Sequence, residues 1–229
     1  MKFRDRIFIG LAIVFALVCV RLGLWQLSRL AERKQLNAEL LSRAQTAPVA
    51  FAALPTDTGD AHFRRVALEG TYDFDHEIVV TNRTRNGSPG VNIITPLRLA
   101  GSDTAVLVNR GWIYAPDGMT VDLTQWREPP VMTGEGFVEN YSTRIGNPRT
   151  MSHRNAYRWL DRPTLAQAFP YRIARYYVVL IGEKKIVANI PPRVEVPSLD
   201  EGSHRSYAIQ WFSFAAISIF GTILYLRRK

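Results

Sequence analysis

Cysteine is almost absent from this sequence. The single residue, Cys19, lies inside an apolar run, so no intramolecular disulfide can form and cysteine usage gives no evidence about the compartment. The sequence also lacks a Cys-x-x-Cys pair, a glycine-rich phosphate loop and a G-x-S-x-G turn, and its carboxylates are scattered rather than paired. These absences disfavour an enzyme, and a membrane-tethered hydrolase or sensor is the weakest function considered.

Histidine is scarce and dispersed. No two of the four residues are separated by three or four positions, the spacing that places two zinc or iron ligands on one helix face. They are His62, His76, His153 and His204. His204 differs from the others in position, because it stands where the central part of the chain meets the second apolar segment.

Acidic residues are fewer than basic residues, 20 against 29, which gives a formal net charge of +9. This balance admits nucleic acid or an anionic membrane surface as a partner. The basic residues form no dense tract, however, and several flank the apolar ends of the chain, as Lys and Arg usually do in membrane proteins. We therefore expect the lipid bilayer as a partner and no nucleic acid.

The first long apolar run extends from Ile7 to Leu27 and is interrupted only by Arg21. It supplies the roughly 20 residues that a helix needs to cross a bilayer, and the long stem of Arg21 can reach the headgroups. A cleaved signal peptide is the alternative, because three basic residues precede the run. No small-x-small cleavage pattern follows promptly and the run is long for a signal peptide, so the sequence favours a retained transmembrane helix over residues 7–27.

A second apolar segment, residues 204–226, predicts another transmembrane helix. No charged residue stands between Arg205 and Arg227, and Trp211 and Tyr225 lie near the two ends, where aromatic belts form. Two crossings place both termini on one side, and the cations at both ends of the chain indicate the cytoplasm. Cations also follow the first helix closely, but a long domain crosses the membrane largely regardless of its charge. We predict cytoplasmic termini and a periplasmic central domain.

Between these helices the sequence predicts a helical linker at residues 28–48 and a β-rich domain at residues 49–200. Leucines up to Leu41 are spaced for a partly buried helix face. Beyond Phe63 the apolar period becomes two, which is typical of strands. One helix interrupts the strands, with Asp161 as its N-cap and Pro163 in its first turn, and it ends before Pro170.

The predicted strands alternate with turn signals such as Arg85-Asn86-Gly87. They are Arg65–Glu69, Glu77–Thr81, Val91–Leu99, Ala105–Asn109, Gly134–Asn140, and a hairpin of Tyr176–Ile181 with Lys185–Ile190. The predicted fold class is a membrane protein in which two transmembrane α-helices flank a mainly antiparallel β (α+β) extramembrane domain.

Small side chains form a stripe on each predicted membrane helix. The first stripe is Ala12, Ala16, Cys19 and Gly23, and the second is His204, Ala208, Trp211, Ala215, Ser218 and Thr222. Such stripes let two helices approach closely, or they leave room for a flat ligand. On the residues alone, the simpler interpretation is helix packing, with His204 as an interfacial polar residue.

Five short motifs stand in order along the chain. They are Leu22-Gly23-Leu24-Trp25-Gln26; Gly70-Thr71-Tyr72-Asp73 followed by Asp75-His76-Glu77; Asn109-Arg110-Gly111-Trp112; Asn147-Pro148 followed by Tyr157 and Trp159; and Ser203-His204-Arg205-Ser206-Tyr207-Ala208 followed by Gln210-Trp211. This ordered set within a two-helix frame resembles the Surfeit locus protein 1 family of cytochrome c oxidase assembly factors. Ser203 departs from the pattern, since the family more often has Asn there.

The resemblance implies a cell inner-membrane assembly factor for a haem–copper terminal oxidase. Such a protein is not an enzyme: it binds haem a and assists its delivery to cytochrome c oxidase subunit I, with the haem a synthesis enzymes as further partners. The histidine of the last motif, His204, is the implied axial ligand of the haem iron. A single histidine leaves an exchangeable sixth position, which suits a carrier.

Around His204 we expect the haem to contact Tyr207, Trp211, Trp25, Gln26 and Arg205. Trp25 and Gln26 either wall the pocket or are an aromatic-belt residue and its neighbour. The haem propionates are expected near Arg205 or Arg21, and Trp112 is expected to pack rather than to touch the cofactor. The alternative function is a membrane scaffold or accessory subunit of the oxidase without haem.

Overall fold

The computed structural model describes residues 3–150, 155–182, 188–193 and 199–228. The chain divides into two compact units, one formed by Met1–Glu39 with Ser198–Lys229 and the other by Leu40–Pro197. The first unit is a pair of helices, and the second is a β-sheet domain with short helices.

The described part of the chain begins with a long helix, α1 (Phe3–Gln45), so the predicted continuation of the first apolar helix to about Leu41 is confirmed. The helix ends three residues before the predicted end of the linker. Pro48 explains the early end, because a proline disfavours the helical conformation of the residue before it. The second long helix is α4 (His204–Arg227). Both helices are long and apolar enough to cross a membrane, and only 17% and 6% of their apolar windows are buried.

The α1 and α4 helices run antiparallel and pack along their small-residue stripes. Ala208 and Ala215 of α4 are buried, and at Gly23 of α1 a Cβ atom would lie 2.7 Å from the ring of Phe212. Between residues 16 and 30, the buried positions of α1 recur three and four residues apart, the heptad spacing of a coiled coil. They are Ala16, Cys19, Gly23, Gln26 and Leu30.

Polar contacts fix the register of this helix pair. The Ser218 hydroxyl donates to the carbonyl of Ala12 over 3.0 Å. Toward the chain termini, the Tyr225 hydroxyl donates to the Asp5 carboxylate over 3.0 Å. The two stripes therefore contact each other, as the packing interpretation expected.

The described part of the domain is built on a nine-stranded sheet. Its strands are β1 (Val49–Ala50), β2 (Arg65–Tyr72), β3 (Ile78–Arg85), β4 (Ser88–Arg98), β5 (Thr104–Tyr114), β6 (Val131–Glu139), β7 (Ala156–Tyr157), β8 (Arg172–Ile173) and β9 (Tyr177–Leu180). Strand β2 pairs with β4 as well as with β6, so that β2, β6, β9, β5 and β4 form a closed ring. The ring closes at Gly70, where a Cβ atom would lie 2.5 Å from the carbonyl of Arg98.

The sheet is mainly antiparallel, as predicted, but it also contains four short parallel pairings that were not predicted. Pairs of long strands are antiparallel, but β1–β2, β3–β7, β5–β8 and β5–β9 are parallel. Parallel neighbours need long crossover connections, which a period of two does not reveal. The first five predicted strands correspond to β2–β6, but β5 is longer than predicted and continues through Tyr114.

The turns and the helix predicted in the domain agree with the structure. Asn86 and Gly87 have φ of +51° and +78° and form the two-residue loop between β3 and β4. The predicted helix is α3 (Arg162–Ala168), and Asp161 caps it by accepting from the Thr164 amide over 3.0 Å. A further short helix, α2 (Thr58–Ala61), was not predicted. Of the predicted partner strand Lys185–Ile190, residues 185–187 lie outside the described residues, and residues 188–190 form a turn and bend rather than a strand.

Apolar side chains fill the inside of the ring and cover part of its outside. The inward residues alternate with outward ones along each strand, as expected for a small barrel. The inner cluster includes Val66, Leu68, Leu97, Val106, Val108, Val138, Val178 and Leu180. A second cluster places Leu165 of α3 over Ile94 and Leu107 on the outer face.

Candidate functional site

The first and last motifs of the chain meet at one hydrogen bond. His204 Nδ1 lies 2.8 Å from Oε1 of Gln26, 178 positions away in sequence. An amide oxygen can only accept, so Nδ1 carries the proton and donates it. The lone pair of a neutral imidazole is then on Nε2, the nitrogen that remains available as a ligand. The helix pair thus holds one imidazole in a defined tautomer.

The local sequence explains why His204 is placed there. Gln26 occupies a buried heptad position of α1 and is only 9% exposed. Ser203 is the N-cap residue of α4, but its side chain makes no capping hydrogen bond. With Ser in place of the family's more usual Asn, the first turn of α4 has no side-chain cap. Gly202 adopts φ +74°, and a Cβ atom there would lie 3.6 Å from His204 Nε2. The missing Cβ keeps the side of Nε2 open.

A polar cavity of about 360 Å³ lies beside His204, and its lining includes the acidic residues Glu32, Asp200 and Glu201. Its lining also includes Arg29 and Arg33, which were not among the predicted site residues. They could have been found from the sequence, because they stand four residues apart on the helix that continues past Gln26 and therefore share a helix face. Arg29 pairs with Glu32 at 2.6 Å, but both side chains are more than half exposed. Exposed pairs contribute about 0–1 kcal/mol, so this guanidinium can exchange partners easily.

The other predicted site residues lie on different surfaces of the helix pair. Trp25 is 54% exposed and lines, with Arg21, a separate open groove of about 670 Å³ along α1. Tyr207 and Arg205 are exposed, and Trp211 packs its ring against Phe214. The structure therefore joins Gln26 to His204 and leaves the roles of the other four as predictions.

The Asn109-Arg110-Gly111-Trp112 motif forms a bulge in β5. Asn109 pairs with Ile94 and Gly111 with Ile93, so Arg110 is the extra residue. Gly111 has φ +144°, and a Cβ atom there would lie 2.7 Å from the Pro192 carbonyl. These contacts give the backbone of the motif a structural role.

Two side chains of the same motif are also structural. Arg110 faces the same side of β5 as the inward Val106 and Val108, where it is fully buried and bonds Glu77 at 2.5 Å and Glu128 at 3.1 Å. The Trp112 indole donates to the carbonyl of Arg83 over 2.9 Å, and the ring lies against Gly90, so the expected packing role is confirmed.

The second motif supplies the partners of Arg110. Tyr72 lies inside the ring, with the Arg110 guanidinium 5.3 Å from its ring centroid. Burial raises the pKa of the Glu77 carboxyl, while the hydrogen bond from Thr95 and the charge of Arg110 oppose that rise. The motif therefore contributes to a buried ion network rather than to a ligand site.

His62 and His76 differ from His204 in having carboxylate partners. His62 Nε2 lies 2.8 Å from Glu139, and His76 Nδ1 lies 2.8 Å from Asp73. His153 lies outside the described residues. Within the described ranges, no three His, Cys, Asp or Glu side chains come together as ligands for a metal ion.

These features define a class of protein in which two apolar helices flank a β-barrel domain and hold one oriented histidine. The chain belongs to the SURF1 family, whose family model matches residues 13–216, and the resemblance to the Surfeit locus protein 1 family is confirmed. It is 28% identical over 222 residues to a SURF1-like protein of Monosiga brevicollis, covering 91% of this chain and 83% of that protein.

Two further relatives extend the comparison to bacteria and yeast. The chain is 25% identical over 217 residues to a SURF1-like protein of Rickettsia felis, covering 92% of each. It is 30% identical over 122 residues to the cytochrome oxidase assembly protein SHY1 of Saccharomyces cerevisiae. That match covers 51% of this chain and 31% of SHY1.

Proposed function

We propose that this protein is a membrane-anchored assembly factor for cytochrome c oxidase, and that it carries haem a as cargo for subunit I. Membership of the SURF1 family and the similarity to SHY1, a cytochrome oxidase assembly protein by name, support the assembly role. The haem role depends on one observation. The hydrogen bond from His204 Nδ1 to Gln26 leaves the lone pair on Nε2 available to bind iron.

The residues around His204 fit a haem. Neutral imidazole is an axial ligand of haem iron, and a hydrogen bond to its second nitrogen fixes its orientation. The absent Cβ of Gly202 leaves space beside Nε2, and Arg29 and Arg33 offer guanidinium groups to the propionates. The bound haem would supply the iron that subunit I requires, and the protein's part is to bind, orient and release it.

The test is an absorption spectrum of the full chain. The protein is coexpressed with the haem a synthesis enzymes, purified in mild detergent and scanned in the Soret and α-band regions. We expect a haem a spectrum at a fixed ratio to protein. A colourless protein that still copurifies with oxidase subunits would contradict the haem role and leave the assembly role in place.

That second outcome corresponds to the alternative function, a scaffold or accessory subunit without haem. One observation favours it: the small-residue stripes of α1 and α4 pack on each other, with Gly23 against Phe212. A flat ligand between the stripes would have to separate the helices. In our proposal the haem lies on the outer side of the pair, where His204 Nε2 is open.

Membrane insertion and topology belong to the same proposal. The large apolar side chains of both helices are mostly exposed, and lipid is the environment that would bury them without water. We propose an inner-membrane protein with both termini in the cytoplasm and the domain in the periplasm.

The topology predicts the behaviour of reporter fusions. A reporter that is active only in the cytoplasm should work when fused after Lys229, because the cations at both ends favour that side. The same reporter inserted at the exposed Asn86-Gly87 turn of the domain should be inactive. The reverse pattern would show that the Arg29, Arg33 and Lys34 cluster decides the orientation.

A further inference from the structure

A polar pocket of about 430 Å³ lies in the β-sheet domain, separate in sequence from the His204 site. Its wall is the outer face of the sheet, with residues from β3, β4, β5, β6 and β9. Its remaining lining comes from Asn140, Ser142, Arg144, Trp159 and Leu160. The volume is within the range of about 300–1,000 Å³ that is usual for small-molecule sites.

A second bulge directs Arg83 into this pocket. Between Val80 and Arg83, β3 contains one residue more than the facing stretch of β4, so both side chains line the pocket although they are three positions apart. Asn82 takes the positive φ of +54° that the bulge requires. Its amide donates to the carbonyl of Gly118 over 2.8 Å, which holds the bulge in place. Bulges of this kind commonly re-aim a side chain beside a functional site.

The pocket contains buried hydrogen-bond donors without partners. Among the described residues that line the pocket, Arg83 Nε and Trp159 Nε1 are buried and bond no acceptor, and the buried Oδ1 of Asn140 accepts from no donor. A buried donor without a partner is costly, and native proteins satisfy nearly all such groups. Both nitrogens are donors only, so their missing partner must be an acceptor.

The charges facing the pocket are mainly positive. Arg83 and Arg144 line it, and among the described residues of its lining Glu139 is the one acidic side chain. Glu139 Oε1 is already engaged by His62 and by the Asn140 amide. Burial lowers the pKa of the Arg83 guanidinium and the charge of Arg144 adds to this, while Tyr177 opposes it. An anion in the pocket would replace the solvation that the buried guanidinium has lost.

We propose that this pocket is a binding site for a small dissolved oxyanion, a carboxylate or a phosphate, held by Arg83, Arg144 and the indole N–H of Trp159. Guanidinium groups bind carboxylate and phosphate oxygens through charge-assisted hydrogen bonds. The indole adds one further donor of fixed direction. The site is independent of haem a and of His204.

The experiment titrates the full-length protein in detergent with inorganic phosphate and, separately, with succinate at constant ionic strength. Isothermal titration calorimetry measures affinity, and the indole N–H resonance of Trp159, assigned by its loss in Trp159→Phe, reports the site. We expect saturable binding of at least one probe with a shift of that resonance. Arg83→Gln should weaken binding about tenfold or more.

Arg172→Gln is the matched control, because Arg172 is 82% exposed, lies outside this pocket and loses the same charge. It should leave the affinity unchanged. Arg144→Gln, at an exposed position, tests the site if Arg83→Gln does not fold. Binding of phosphate alone or succinate alone would support the site and identify the shape of its ligand. No saturable binding, or equal weakening by Arg83→Gln and Arg172→Gln, would mean that the pocket holds only water and overturn the proposal.

Discussion

Changing His204 to alanine is expected to remove haem a from the purified protein or to shift its Soret band strongly. The Nε2 atom of His204 is the iron ligand in the proposed site, and alanine offers none. The substitution should leave the helix pair intact, because Ala16, Cys19, Ala208 and Ala215 still supply the buried contacts. Oxidase activity in cells should fall without disappearing if haem also reaches subunit I unaided.

The matched variants separate ligation from general damage. Gln26→Leu removes only the acceptor of the Nδ1 proton, so we expect weakened haem binding, by about 10–100-fold, with a perturbed spectrum. His62→Ala and His76→Ala alter histidines that bond Glu139 and Asp73, and both should keep the pigment. An unaltered spectrum and haem content in His204→Ala would assign the ligand elsewhere and leave His204 a packing residue.

Changing Arg110 to methionine is expected to destabilise the β-sheet domain by about 3–5 kcal/mol, the usual effect of removing one partner from a buried ion pair. Arg110 is fully buried and bonds the buried carboxylates of Glu77 and Glu128. Methionine keeps apolar volume but leaves both carboxylates without that cation. The loss is a large part of a typical folding free energy of about 5–15 kcal/mol, and urea unfolding followed by tryptophan fluorescence measures it.

The same variant should change the pH dependence of stability. Burial already raises the pKa of Glu77, and Arg110 opposes the rise. Without Arg110 the folded-state pKa rises further above the unfolded value, so the folded state binds the proton more tightly. Stability is then lost as pH rises through the folded pKa, and it returns as pH falls toward the ordinary glutamate value of about 4.3.

Two controls identify the buried charge as the cause. Arg172→Met makes the same change at an exposed position beside Asp103 and should alter stability by less than about 1 kcal/mol. Adding Glu77→Leu to Arg110→Met should restore part of the lost stability, because it removes one unpaired carboxylate. If Arg110→Met unfolds at the same urea concentration as the unchanged protein, the network contributes nothing to stability.

Local patterns carried most of what the sequence predicted correctly. Apolar runs identified both long helices, and a period of two located the first five long strands. Asn86-Gly87 marked a turn correctly, because both residues readily adopt the positive φ that the turn requires. Asp161 marked a helix start correctly, because its side chain accepts from an amide only three residues away. The ordered motifs identified the family. Strand pairing was less accessible, and the parallel pairs were not predicted.

The sequence by itself determined the two apolar helices, the strand-rich domain and the family, because those signals lie within short windows or in the order of motifs. Only the tertiary structure decided that Gln26 orients His204 and that β2 closes a ring on β4 at Gly70. It also decided that Arg110 meets its carboxylate partners in a buried ion network and that a bulge turns Arg83 into an open pocket. Periodicity shows which face of an element is buried but does not identify the distant residue that covers it. A one-residue bulge also reverses the facing of the side chains that follow, and no local pattern in this sequence marked it.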